Sequence, residues 1–166
     1  MLRILLASTA LFFITQSCSP QKQKERTSFV FDNENIFSPT QINQFDTLLK
    51  GHEKRTSNEI VIVTTPDYGI DTSILFYSVN FLRNNNIGKE NLNNGTVIVF
   101  SSAKQEVRIG TGYGTEKVLD DVKAKRIIDS VILPQFRKGA YFGGLWNGSK
   151  AVVNFLEKPE NKIINK

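Results

Sequence analysis

The sequence predicts an α/β sandwich built on a mixed sheet, and three observations lead to it. Two continuous apolar runs rich in β-branched residues, 59–65 (E-I-V-I-V-T-T) and 96–100 (T-V-I-V-F), read as strands buried on both faces. Stretches with apolar residues at helical spacing lie before, between and after them. Residues 106–111 follow the second run across the short turn 101–105, as an antiparallel return does. Strands alternating with helices, one strand reversed, give a mixed sheet covered by helices.

Residues 28–32 open the fold, with Phe29, Val30 and Phe31 as a short strand closing on Asp32. Ser38-Pro39-Thr40-Gln41 forms a capping box, with Ser38 at the N-cap, Pro39 at the first helical position and Gln41 reaching back. The helix it starts carries Ile42, Phe45, Leu48 and Leu49 on one face and runs to about Thr56. His52, the only histidine, is expected at the surface near the carboxyl end of this helix, against its dipole. Pro66-Asp67-Tyr68-Gly69 breaks strand 59–65. A second helix is expected over 72–85, with Ile74, Leu75, Val79, Phe81 and Leu82 turned to the core. A third starts near Asp121, with Val122, Ile127, Ile128 and Val131 inward, and Pro134 interrupts it or opens a new segment. The last, over 142–156, presents Leu145, Trp146, Val152, Val153 and Phe155. Residues 157–166 read as a polar tail, and no internal repeat occurs.

The amino terminus bounds the compartment. Residues 4–14 are almost wholly apolar, too short for a bilayer span of roughly 20 residues and of the length of a signal-peptide core. Ser17 then precedes Cys18, the only cysteine. The segment resembles a bacterial lipoprotein signal, although Thr15 stands where such signals usually carry an aliphatic residue. The expected organisation is a lipoprotein signal over 1–17, acylation of Cys18, a flexible tether over 18–27, one domain over 28–156 and the tail. An acylated Cys18 would hold the chain to the membrane from outside the cytoplasm, with Lys22, Lys24 and Arg26 beside the headgroups. Removing residues 1–17 lowers the formal charge of +5 to about +4, spread along the chain. No basic stripe with interleaved aromatics occurs, so nucleic acid is not an expected partner. A lone cysteine excludes disulfides and cysteine-based metal sites within one chain.

The strongest chemical signal is Gly110-Thr111-Gly112-Tyr113-Gly114-Thr115-Glu116, with Leu119-Asp120-Asp121 after it. Its glycines permit a close backbone approach, and Gly112, Tyr113, Gly114 and Glu116 form a candidate ligand-binding loop. As a dinucleotide fingerprint the run fails, because no third glycine stands where one is needed. Asp32 ends the first strand, Asp67 follows the second, and Asp120 and Asp121 stand at a helix start. Were these four to converge with Glu116 at one sheet edge, their oxygens would suit a hard cation, Ca2+ or Mg2+. Taken singly, each is a helix cap or a solvated loop acid. No serine lies in a nucleophile elbow, which disfavours a serine hydrolase, and the catalytic residues stay unassigned.

Several ordered blocks together resemble the TPM-domain family. They are Gly112-Tyr113-Gly114-Thr115-Glu116, Leu119 with Asp121, Arg126-Ile127-Ile128, Pro134 with Phe136, and Gly139-Ala140-Tyr141, preceded by Ile87-Gly88-Lys89, Asn94-Gly95 and Arg108-Ile109. That family joins a thylakoid acid-phosphatase-like protein with many bacterial envelope proteins. The resemblance implies a three-layer α/β/α sandwich with a mixed central sheet in a single domain, and, in some members, divalent-cation binding and acid phosphatase activity. It sets Asp32, Asp121 and Glu116 on acidic positions of the family pattern. Asn93 stands where the family often has aspartate, Thr115 replaces a usual leucine, and Asp120 adds an acid. Two functions follow as expectations: a lipid-anchored, cation-binding module that assists or regulates a membrane-associated protein complex, or a cation-dependent envelope phosphatase with Asp32, Asp120 and Asp121 on the metal.

Overall fold

A computed structural model describes residues 26–164; the signal segment, Cys18 and most of the tether lie outside the described residues. Four strands form one sheet in the order β1-β2-β3-β4: β1 (Val30–Asp32), β2 (Glu59–Thr64), β3 (Gly95–Ser101) and β4 (Glu106–Thr111). The first three are parallel, and β4 returns antiparallel to β3. All residues of β2 and β3 are buried, as central strands covered on both faces require.

Six α-helices complete the domain: α1 (Pro39–Thr56), α2 (Ile74–Asn84), α3 (Tyr113–Glu116), α4 (Asp121–Ile127), α5 (Leu133–Phe136) and α6 (Tyr141–Leu156). The capping box at Ser38 and Gln41 is formed in both directions. A π-helical turn, Ile128–Ile132, joins α4 to α5, so the chain stays helical into Pro134. The wider turn accommodates a residue that lacks an N–H and crowds the carbonyl of the preceding turn.

Helix α2 alone covers one face of the sheet. Its Phe81 meets Phe31 of β1 at 5.0 Å between ring centroids, and Ser78 sits against Gly110 of β4. The other face carries α1, α6 and the 121–136 helix. Phe45 of α1 packs edge-on to Phe142 and Trp146 of α6, and Phe100 of β3 meets Phe136 and Tyr141. Three layers result. Both parallel crossovers step the same way across the sheet while their helices lie on opposite faces, so the two have opposite hands and one departs from the right-handed rule.

Four side chains depart from expectation. His52 is fully buried rather than exposed, because α6 and Glu157 close over it. Leu75 and Val79 of α2 face solvent, since the sheet takes Ser78 and Phe81 along a neighbouring stripe of that helix. Val122 also points outward, and Ala124 fills the inward position of α4.

Candidate functional site

Strands β1, β2 and β3 all deliver their carboxyl ends to one edge of the sheet, and β4 begins there. Asp32 ends β1, and its carboxylate accepts hydrogen bonds from Thr64 Oγ1 at 2.6 Å, Phe37 N at 2.9 Å and Ile36 N at 3.2 Å. It thereby closes the loop that leads into α1. Glu34, in that loop, accepts from the Ser102 backbone N–H and from Ser102 Oγ at 2.6 Å, tying the loop to the β3–β4 hairpin. Asp67 accepts from Gly69 N at 2.8 Å within the turn before α2. The Tyr68 hydroxyl donates to Glu106 Oε2 at 2.6 Å. Burial first, then the bond to Glu106, push that hydroxyl far above its ordinary pKa, so it stays a donor.

The glycine loop lies at the opposite edge. Antiparallel β4 ends with Thr111 against Thr96, at the start of β3. Gly112 N donates to Gly95 O at 2.9 Å, and Gly114 N to Asn93 O at 3.0 Å. A Cβ at Gly112 would strike the Asn93 carbonyl oxygen, and one at Gly114 the Leu92 carbonyl oxygen. These glycines let two backbones lie against each other, and between them Tyr113 stands 80% exposed at the tip. Glu116 is exposed on the short α3. Asp120 caps α4 by accepting from Lys123 N at 2.9 Å, and its carboxyl is held below the ordinary range by that bond and then by the Lys123 ammonium. Asp121 pairs with Arg108 of β4 at 2.9 Å.

The expected convergence of acids therefore does not occur. Asp32 and Asp67 stand at the carboxyl edge, while Glu116 and Asp120 belong to the segment that leaves the amino edge. Asp32 is on β1 and the Arg108 partner of Asp121 on β4, three strand spacings or about 14 Å apart. The reason is topological: an antiparallel strand carries the chain back to the edge from which its parallel neighbours start. Among the described residues no three His, Cys, Asp or Glu side chains gather closely enough to hold a metal ion. Asp32 and Asp67 offer fewer oxygens than the six to eight a Ca2+ centre takes, and those oxygens already serve their own loops. The four acids do not fit a cation as one set.

Among the described residues no nucleophile–base pair stands at these edges either. The buried His52 Nδ1 lies 2.9 Å from Glu157 Oε1, which Arg55 also engages. A groove of about 440 Å3 runs beside β4, lined by two ion pairs, Arg108 with Asp121 and Lys125 with Asp129. Sequence reasoning missed Glu34, Tyr68 and Glu106 at the carboxyl edge. The antiparallel return at 106–111 was the signal, since it places the start of β4 beside the ends of its neighbours.

A family profile described as TPM domain matches residues 30–155. The chain belongs to the TPM domain family. This TPM domain is similar to the N-terminal domain of a protein from P. gingivalis solved in solution, with 30% identity and a TM-score of 0.70, covering 84% of this chain and 88% of that one. The N-terminal domain of cg2496 from Corynebacterium glutamicum shares the fold at 12% identity and a TM-score of 0.60, over 92% and 86% of the two chains. BA42 from the psychrophilic bacterium Bizionia argentinensis shares it at 19% identity and a TM-score of 0.60, over 81% and 92%. No curated protein matches the chain. The three-layer mixed-sheet fold expected of a TPM domain is the fold observed.

Proposed function

We propose that this TPM domain is a lipid-anchored envelope module that binds a membrane-associated protein through its glycine loop, rather than an enzyme. The observation that carries the reading is Tyr113, 80% exposed on a tip whose flanking glycines lock it against residues 92–95. With the backbone on both sides of it held, the loop need not be ordered on binding, and Tyr113 offers both a flat apolar ring and a hydroxyl, the traits of an interface anchor. The absence of a nucleophile–base pair at the candidate edges favours binding over turnover, and the signal-like run before Cys18 favours attachment to the envelope membrane. No step of this reading passes through a cation.

The test compares the wild-type chain with Tyr113→Ala, purified from solubilised envelope with its bound protein and assayed on an aryl phosphate with Ca2+ or Mg2+. The partner is expected to bind the variant about thirtyfold more weakly, at an unchanged melting temperature. No metal-dependent hydrolysis is expected. Turnover that is lost in Asp32→Asn or Asp121→Asn would replace the module by a cation-dependent phosphatase. Labelling of Cys18 by an alkyne fatty acid, absent in Cys18→Ser, tests the anchor separately.

A further inference from the structure

We infer that the outer face of α2 rests on a lipid bilayer, so that the domain lies against the membrane instead of hanging free on its tether. The inference builds on the anchoring at Cys18 proposed above and adds which surface the anchor presents.

A helix between a sheet and water ordinarily turns charged and polar residues outward. Helix α2 does not. Residues 72–82 include no charged side chain. Leu75, Phe76 and Val79, spaced to share one side of the helix, are 42%, 56% and 48% exposed. Ile70, at the tip of the turn into α2, is 100% exposed, and Gly69 beside it takes a positive φ of 58° that fixes the turn. The two acids of this turn are engaged: Asp67 by Gly69 N, and Asp71 by Asn80 Nδ2 at 2.6 Å. A contiguous apolar face of this kind marks a surface that something covers.

The position of the tether selects the bilayer as its cover. Arg26, where the described chain begins, donates to Asn85 O at the carboxyl end of α2 at 3.0 Å, pairs with Glu59, and lies over the Phe31 ring. The chain therefore enters the domain on the α2 side. Arg26 lies eight positions after Cys18, a reach of at most about 28 Å. The helix itself is about 16 Å long. A domain held by so short a tether at one end of α2 keeps that helix near the headgroups. Lys22, Lys24 and Arg26 add basic charge along the approach. Apolar side chains that dip below the headgroups then leave water.

Methyl NMR tests this on the chain in phosphatidylcholine bicelles doped with a gadolinium-headgroup lipid. The acylated chain is used if Cys18 proves acylated; otherwise the full chain is coupled through Cys18 to a maleimide-headgroup lipid. This separates the two readings, because the docking measurement proceeds even where natural acylation fails. The expected result is broadening of the Ile70, Leu75 and Val79 methyls, with the exposed Thr47 methyl on α1, in the opposite layer, left sharp. Val79→Asp, at a solvent-facing position, should remove the broadening at Ile70 and Leu75 while the melting temperature holds. Equal broadening of Thr47, or broadening that survives Val79→Asp, overturns the inference. So do α2 methyl shifts that follow protein concentration without lipid, which would assign the face to a second copy of this chain.

Discussion

Asp32 illustrates how a residue that looks like a ligand can be spent on structure. Three donors converge on its carboxylate, two of them backbone N–H groups of residues 36 and 37 that no helix or strand satisfies. Asp32→Ala leaves those donors and the Thr64 hydroxyl without a partner, and is expected to cost about 2–4 kcal/mol in urea unfolding; Asp32→Asn, which keeps one acceptor oxygen, should cost about half as much. His52 makes a second prediction at this scale. Burial lowers its pKa below the reference of 6.5, and the hydrogen bond and charge of Glu157 offset this only in part. The folded chain therefore resists protonation that the unfolded chain accepts. Stability from this group is full above pH 6.5 and falls as the pH drops below it, by no more than about 1.4 kcal/mol per pH unit. Glu157 is also lowered, burial being outweighed by its bonds from His52 and Arg55, but its reference of 4.5 puts its own loss at lower pH. Unfolding free energies measured from pH 7 to 5 should show the slope in wild type and a flatter line in His52→Gln.

The glycine loop and the helix breaks carry the lessons at the scale of elements. Gly114→Ala forces a Cβ into the Leu92 carbonyl, where neither backbone can yield cheaply, and a loss of about 1–3 kcal/mol is expected. Gly143→Ala, inside α6 with its Cβ at 3.8 Å from the nearest atom, should instead gain about 0.5–1 kcal/mol. Comparing the two melting temperatures separates backbone crowding from helix propensity. The loop was legible as glycines that permit close approach, but its use was not, because whether a glycine admits a ligand or a neighbouring strand depends on what lies opposite. Strands 59–65, 96–100 and 106–111 were legible because apolar runs bounded by turn residues leave few alternatives. Helix α1 was legible from its capping box. The pairing direction already implied that the acids would separate, since a reversed strand returns the glycine loop to the amino edge. The outward face of α2 was hidden because Leu75 and Val79 are apolar, and composition alone assigns such residues to a core. The π turn before Pro134 was hidden as well, because a proline signals a break without saying how the helix absorbs it.

For the molecule as a whole, one ion pair fixes the point where the entering chain meets the domain. Glu59 opens β2 in a buried position, with Oε2 accepting from Gly88 N at 2.8 Å and Oε1 taken by Arg26. The Arg26 guanidinium also holds Asn85 O, so one side chain ties the entering chain, the central sheet and the end of α2 together. Removing it strands a buried carboxylate on a single backbone donor. Arg26→Ala is therefore expected to cost about 2 kcal/mol, less than for a fully buried pair because the guanidinium is partly exposed. Glu59→Gln should cost less, because its amide oxygen still accepts from Gly88 N while the charge that needed Arg26 is gone. The double variant should then be scarcely worse than Glu59→Gln alone, and the non-additivity in urea unfolding measures the pair. Additive losses would show that Arg26 acts through Asn85 and Phe31 instead. With the ion pair intact, the entering chain is fixed at one end of α2, which under the anchoring proposed above sets the side of the domain that meets the membrane.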